Sequence, residues 1–162
     1  MRRVLGLSAV VGLLMLAAVA VAADKAEKIP LDKVPKAVMD SIKGRFPNCE
    51  IASVEKEKED TKIVYDIELK HEGRKYEMDI LEDGTILEVE KEIALKDAPE
   101  ALIKTVKEKF PGATIKDVME VNKVKDKKET PDHYEVTIET ADKKTQEVIV
   151  SLDGKEVKTE GK

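Results

Sequence analysis

The sequence has little of what disulfide-rich, membrane-embedded or nucleic-acid-binding proteins need. Its 162 residues include one cysteine, no tryptophan, two phenylalanines and three tyrosines. A single cysteine excludes an internal disulfide framework. The absence of a second long apolar run excludes a protein that crosses the membrane several times. Acidic residues outnumber basic ones by 34 to 29, and no basic stretch is interleaved with aromatics, so nucleic acid is not an expected partner.

The one long apolar run lies at the N-terminus. Two arginines precede an uncharged stretch over residues 4–23. The stretch ends in the small residues Ala20-Val21-Ala22-Ala23. This pattern is typical of a secretory signal peptide, which we expect over residues 1–23 with cleavage after Ala22 or Ala23. An uncleaved membrane anchor is the alternative, whereas cleavage gives a periplasmic or secreted protein without a membrane attachment.

The rest of the chain contains the same unit twice. Segments that begin at Leu31 and Leu95 align at a shift of 64 positions. The aligned pairs include Pro35 and Pro99, Ala37 and Ala101, Phe46 and Phe110, Pro47 and Pro111, and Ile51 and Ile115. Further along, Tyr65 aligns with Tyr134, and Asp83-Gly84 aligns with Asp153-Gly154. A period of this length indicates two tandem domains, predicted over residues 30–93 and 94–160.

Each copy begins with a predicted amphipathic helix. Apolar residues recur at every fourth position, at Val34, Val38, Ile42 and Phe46 and again at Ala98, Leu102, Val106 and Phe110. This spacing puts one apolar stripe on one helical face. A proline is expected in the first turn of each helix. Asp97 and Glu100 have the spacing of a capping box, and both helices are expected to end at Phe-Pro.

Strands follow each helix. Apolar and polar residues alternate over 62–70 and 75–80, and Asp83-Gly84 is a typical hairpin sequence. A weaker signal predicts a first strand from Ile51 to about Lys58, and Ile86–Glu92 is predicted to be the last strand. The predicted fold class is α+β, with two tandem copies of one helix packed on a four-stranded antiparallel β-meander whose other face is polar. The longer segment Lys123–Asp132 of the second copy is predicted to be a mobile, charged hairpin loop.

A set of motifs occurs in both copies. In the first copy these are residues 34–38 through Phe46-Pro47, Tyr65-Asp66-Ile67-Glu68-Leu69 and Asp83-Gly84-Thr85-Ile86-Leu87. In the second copy they are residues 98–102 through Phe110-Pro111, Tyr134-Glu135-Val136 and Asp153-Gly154-Lys155. Together they resemble the PepSY-like family, which is grouped with β-lactamase-inhibitor proteins. The resemblance implies an exported, non-enzymatic domain, and some relatives inhibit or bind a peptidase.

The sequence departs from the β-lactamase-inhibitor protein, which looks like two such units in tandem. It lacks that protein's cysteine pairs and its aromatic-rich binding face. Interface hot spots favour Trp, Tyr and Arg, and all three tyrosines here lie on strand faces assigned to the core. Inhibition of a β-lactamase is therefore not carried over to this chain.

The polar sheet face of the first copy is the predicted partner-binding surface. Its predicted residues are Asp66, Glu68, Lys70, Glu77, Asp79 and Glu88. Glu90 lies on the same face, and Lys62 and Lys75 neutralise part of its charge. No pocket-forming aromatics accompany these carboxylates, so a solvated face that docks a basic partner is favoured over acid–base catalysis.

The cysteine and the two histidines are predicted to be structural. Cys49 aligns with Ala113, so this position accepts a small packed residue. His71 and His133 have no partners at metal-ligand spacing and are expected on the surface. No catalytic residue, cofactor or metal site is predicted, because the sequence contains none of the common catalytic or phosphate-binding motifs.

Residues 79–90 partly match a calcium-binding loop. Asp79, Gly84 and Glu90 fit its first, sixth and twelfth positions, but Leu81 occupies a position that should supply an oxygen. Because strands flank the segment, a hairpin is favoured.

The sequence thus predicts a non-enzymatic, exported protein-binding module. A more specific form of this prediction is that the module inhibits or regulates a peptidase or hydrolase. An acidic envelope protein that binds calcium or another cation is the alternative.

Overall fold

The computed structural model describes residues 26–59 and 61–159. Within them lie two helices, α1 (Lys36–Arg45) and α2 (Glu100–Lys109), and a 3-10 turn at Leu31–Lys33. The strands are β1 (Glu27–Lys28), β2 (Glu50–Glu59), β3 (Lys62–His71), β4 (Arg74–Leu81), β5 (Ile86–Glu92), β6 (Thr114–Lys125), β7 (Lys128–Glu139), β8 (Thr145–Ser151) and β9 (Val157–Thr159). None of the helices in these ranges has the length and apolar character needed to cross a membrane. The predicted signal peptide, residues 1–23, lies outside the described residues.

All the described strands form one antiparallel sheet in chain order, from β1 to β9. The α+β class is confirmed, but the prediction of a separate four-stranded sheet for each copy is wrong. Strand β5 of the first copy pairs with β6 of the second, from Glu88 opposite Lys123 to Glu92 opposite Met119. This pairing satisfies the backbone groups that two unpaired strand edges would expose.

Two apolar clusters hold the helices on the sheet. Val34, Val38, Ile42 and Phe46 belong to the first cluster, and Leu102 and Val106 belong to the second, with Ala98 and Phe110 packed against it. The predicted helical stripes are thereby confirmed. In β6, Val118 belongs to the second cluster and Val124 packs against the first. Their even spacing places both clusters, and both helices, on the same face of the sheet.

Prolines mark both ends of each helix, and the helix starts differ from the prediction. Pro35 and Pro99 occupy the N-cap positions, with no side-chain cap in either helix. The predicted capping box of Asp97 and Glu100 is therefore wrong, because Pro99 holds the position that Asp97 would need. Both helices end at the phenylalanine before the second proline, as predicted. The chain then leaves through Asn48 at φ 61° and through the matching Gly112 at φ 81°.

Strands β6 and β7 form a long hairpin. We call the tip of this hairpin, Lys123–Asp132, the arm. The prediction of a loop here is wrong, because backbone pairing continues to Lys125 opposite Lys128. Asp126 and Lys127 form the turn at φ 52° and 62°, values typical of the two-residue turns that match strand twist. The arm reaches the first copy, where Val124 packs on its core and Glu129 forms an ion pair with Arg45.

Candidate functional site

An acidic hollow of about 360 Å³ lies on the sheet face that the helices leave open. Its lining residues are Glu57, Asp66, Lys75, Glu77, Asp79, Glu90, Asp117, Met119, Glu135, Thr137 and Glu147. The side-chain alternation of the strands explains its position. In β3, Tyr65 and Ile67 belong to the first apolar cluster, so Asp66 between them points to the opposite face.

The structure brings together part of the predicted binding surface. Asp66, Glu77 and Asp79 line the hollow. The other three predicted residues do not line it. The Ser53 hydroxyl donates a hydrogen bond to Glu68 at 3.2 Å, Glu88 binds Lys123 across the β5–β6 junction at 2.6 Å, and Lys70 is exposed.

The residues that sequence reasoning missed come mainly from the second copy. Asp117, Glu135 and Glu147 line the hollow together with the first-copy carboxylates. The repeat itself carries the signal for two of them. The alignment of Tyr65 with Tyr134 makes Glu135 the counterpart of Asp66, and the alignment of the two Asp-Gly turns makes Glu147 the counterpart of Glu77. The merged sheet puts both sets on one surface.

Carboxylates lie directly opposite each other across β3, β4 and β5. The pairs are Asp66 with Asp79, Glu68 with Glu77, Glu77 with Glu90, and Asp79 with Glu88. Like charges in directly opposite positions destabilise a sheet. The sheet therefore carries an electrostatic cost on this face, which the ion pairs of Lys75 and Lys123 and the protonation of Glu90 reduce.

Burial and mutual repulsion change how these carboxyl groups titrate. Desolvation, followed by the charges of Glu135 and Glu77, raises the pKa of Glu90 to about 9. Desolvation, followed by the charge of Glu77, raises the pKa of Asp66 to about 6. At neutral pH Glu90 therefore holds a proton, whereas Asp66 is mostly ionised.

Two carboxyl groups of the second copy are coupled by a hydrogen bond. The bond between Glu147 and Glu135, followed by burial, raises the pKa of Glu147 to about 7. Such a bond requires one proton between two carboxyl groups. The second-copy side of the hollow can thus gain or lose a proton near neutral pH.

Among the described residues that line the hollow, Lys75 is the one with a positively charged side chain. Its ammonium lies 2.6 Å from Glu77 and 3.7 Å from Glu68. Burial lowers the pKa of Lys75, but its hydrogen bond to Glu77 and the charge of that carboxylate outweigh this effect and raise it. One lysine faces eight carboxyl groups, so the hollow is suited to a cationic ligand.

Metal binding and nucleophilic catalysis receive no support from the described parts of the chain. Within residues 26–59 and 61–159, no group of three or more His, Cys, Asp or Glu side chains could hold a metal ion. The potential nucleophiles have structural partners. The Ser41 hydroxyl donates to the Gly84 carbonyl at 2.6 Å, and the Ser151 hydroxyl donates to Asp153 at 2.7 Å. Cys49 packs against the first core as predicted, and burial raises the pKa of its thiol.

Neither histidine is the exposed surface residue that the sequence predicts. The ring of His71 lies 5.4 Å from that of Phe46 and its side chain is 20% exposed. The His133 side chain is 14% exposed, between Asp132 and Glu135. The polar strand ends in which these histidines occur do not reveal this burial, because His71 is covered by Phe46 at the end of α1, which is distant in sequence.

The sequence matches one protein family over both copies. The model of the family described as "Putative beta-lactamase-inhibitor-like, PepSY-like" matches residues 21–88 and 64–157. The chain belongs to the PepSY-like family. The two matched regions of this PepSY-like chain overlap, so the boundaries 30–93 and 94–160 stay a prediction.

Solved structures from Bacteroides share the fold of this PepSY-like chain. A "putative periplasmic" protein of Bacteroides eggerthii DSM 20697 is 13% identical at a TM-score of 0.56, over 78% of this chain and 88% of that one. A DUF2874 family protein of Bacteroides uniformis ATCC 8492 is 13% identical at a TM-score of 0.53, over 76% and 85%. A BLIP-like protein of Bacteroides fragilis NCTC 9343 is 20% identical at 0.49, over 83% and 91%. The first two likenesses concern the fold alone, and nothing is drawn from the third. No curated protein matches the sequence.

Proposed function

We propose that this PepSY-like protein is an exported, non-enzymatic binding module that captures a basic segment of another exported protein in its acidic hollow. The observation that carries the proposal is the set of carboxylates in directly opposite positions across β3, β4 and β5. Such pairs weaken a sheet, and breaches of the rules that stabilise a fold concentrate at functional sites. A lysine- or arginine-rich segment would relieve the repulsion on binding.

The extent of the hollow supports a protein segment as the ligand. Its carboxylates come from strands of both copies, so an occupant can contact both at once. Asp66 and Glu135 occupy equivalent positions of the repeat. Two equivalent sets of carboxylates on one sheet suit an extended chain with several positive charges better than a single small cation.

Export and the absence of catalysis are parts of the same proposal. The signal-peptide pattern of residues 1–23 supports export, as do fold relatives that are named as periplasmic. The hydrogen bonds that hold Ser41 and Ser151 support a non-enzymatic role. A more specific form of the proposal is that the protein inhibits or regulates a peptidase or hydrolase. This form requires the captured segment to belong to such an enzyme.

The test compares two variants in which the same number of carboxyl groups is replaced by amides. The hollow variant combines Asp66→Asn, Glu77→Gln, Glu135→Gln and Glu147→Gln. The control variant combines Glu27→Gln, Asp32→Asn, Glu100→Gln and Glu108→Gln, which are exposed positions outside the hollow. Each immobilised protein is incubated with an extract of envelope proteins at low and moderate salt. We expect a saturable, salt-sensitive partner that the control retains and the hollow variant loses.

The pH dependence of capture adds an independent check. The pKa values of about 6 for Asp66 and about 7 for Glu147 mean that both groups gain protons between pH 8 and pH 5. The hollow loses negative charge over this range, so capture should weaken as the pH falls.

Equal capture by both variants would contradict the proposal. A calcium-dependent rise in melting temperature that only the hollow variant loses would favour the cation-binding alternative.

A further inference from the structure

The ring of His133 lies between two carboxylates on strand β7. Nδ1 lies 2.8 Å from Oδ2 of Asp132, and Nε2 lies 3.2 Å from Oε1 of Glu135. The His133 and Glu135 side chains are 14% and 20% exposed, whereas that of Asp132 is 49% exposed. We call these three residues the His133 clasp.

A proton count shows that the clasp depends on the charge of its ring. An ionised carboxylate can only accept hydrogen bonds, and a neutral imidazole has one N–H donor. Both distances can therefore be hydrogen bonds to ionised carboxylates only when both ring nitrogens carry a proton. When the ring is neutral and donates from Nδ1 to the nearer Asp132, and the proton of the Glu135–Glu147 pair lies on Glu147, the lone pair of Nε2 faces the Glu135 carboxylate and repels it.

Glu135 links the clasp to the acidic hollow. It lines the hollow and is hydrogen-bonded to Glu147 of β8. It also contributes to the raised pKa of Glu90 on β5. A change in the position of its carboxylate therefore changes the charge that the hollow presents.

The other neighbours of the ring are either uncharged or lie toward solvent. Val121 of β6 and Ser151 of β8 lie opposite His133 in the sheet. Glu156 and Lys158 line the same shallow pocket as His133 and are exposed. Asp132 also acts on Lys123 of β6. The groups with direct contacts to the ring nitrogens are thus the two carboxylates of the clasp.

We propose that the His133 clasp is a pH-dependent switch that holds Glu135 at the edge of the acidic hollow when its ring is protonated and releases Glu135 into the hollow when the ring is neutral. The switch goes beyond partner capture and can be tested without a partner. The folded state binds the protonated ring through two carboxylates.

The experiment follows the full chain by NMR from pH 5 to pH 8, with ¹⁵N labels on the histidine rings and ¹³C labels on the glutamate carboxyl groups. We expect the Glu135 carboxyl signal to change together with the His133 ring, and the neutral ring to carry its proton on Nδ1. His71 serves as the internal control, because its ion-pair contact is Glu72 at 3.9 Å. In His133→Gln, the Glu135 signal should lose this transition.

The same spectra of His133→Gln decide the outcome. The proposal is overturned if the Glu135 signal does not follow the ring in the wild-type protein, or if the Glu135 transition persists unchanged in His133→Gln.

Discussion

Glu90 shows how the join between the two copies alters a single side chain. Glu77 lies opposite it on β4 and the buried Val121 lies opposite it on β6, so a carboxyl group of the first copy is covered by a strand of the second. Alternation along β5 predicts the face on which Glu90 lies. It does not predict the raised pKa of Glu90, because Val121 and Glu135 lie 31 and 45 positions further along the chain.

The Glu90→Gln variant should be more stable than the wild-type protein near neutral pH. The pKa of Glu90 is about 9 in the folded state, against an ordinary value of 4.5. Between pH 4.5 and pH 9 the wild-type chain must therefore take up a proton when it folds. Its stability therefore falls as the pH rises from 4.5 toward 9. Glutamine removes this cost, which is about 3 kcal/mol at pH 7.

Urea unfolding at pH 4, 7 and 8.5 checks this expectation, with the exposed Glu27→Gln as the control. The stabilisation by Glu90→Gln should be close to zero at pH 4 and should grow with pH. A constant difference across the series would show that packing, rather than proton uptake, separates the two proteins.

At the scale of elements, each Asp-Gly turn is packed against the helix of its own copy. A Cβ atom on Gly84 would lie 2.8 Å from the Ala37 carbonyl oxygen, and one on Gly154 would lie 2.5 Å from the Leu102 nitrogen. Both glycines have positive φ, and both near atoms belong to helix backbone that cannot rotate away. The Ser41 hydroxyl adds a bond to the Gly84 carbonyl. The turn therefore fixes the distance between helix and sheet.

Gly84→Ala and Gly154→Ala should each cost about 3 kcal/mol, from the left-handed backbone and from the clash with the helix. Gly73→Ala is the matched control, because φ is +81° but nothing lies within 4 Å of the added methyl group. It should cost about 1 kcal/mol. Thermal unfolding of the three variants measures the difference. Equal losses in all three would remove the helix contact as the cause.

Helices, hairpin turns and strand faces follow from local sequence, because each depends on residues within a few positions of one another. The apolar stripes, the Phe-Pro helix ends and the alternation in β3 are of this kind. The arm is different. Its strands are charged and lack a clear alternation, and Val124 and Glu129 have their partners on the first copy. Such contacts between distant segments leave no local pattern.

At the scale of the whole molecule, the two copies share one sheet but keep two cores. The β5–β6 pairing, the Glu88–Lys123 bridge and the contact of the arm with α1 all join them. Sequence repetition predicts the two cores, but it does not show which strand edges meet. The hollow could not be predicted in full for the same reason, because half of its wall comes from the other copy.

The full chain should unfold in one transition. Leu69→Ala in the first core and Ile138→Ala in the second, both fully buried and equivalent in the repeat, should each cost about 2–5 kcal/mol and shift the whole transition. Calorimetry should give equal calorimetric and van't Hoff enthalpies for both variants. Two separated transitions in either variant would mean that the junction does not couple the copies.

The order of the strands also bears on how the chain could fold as it emerges N-terminus first. Each strand pairs with its neighbours along the sequence, and the Glu88–Lys123 pair, 35 positions apart, spans the widest separation of the sheet pairs in the described residues. Low contact order of this kind favours rapid folding. A chain that emerges N-terminus first could add one hairpin after another to a growing edge, and the acidic hollow would be completed last, when β6, β7 and β8 arrive.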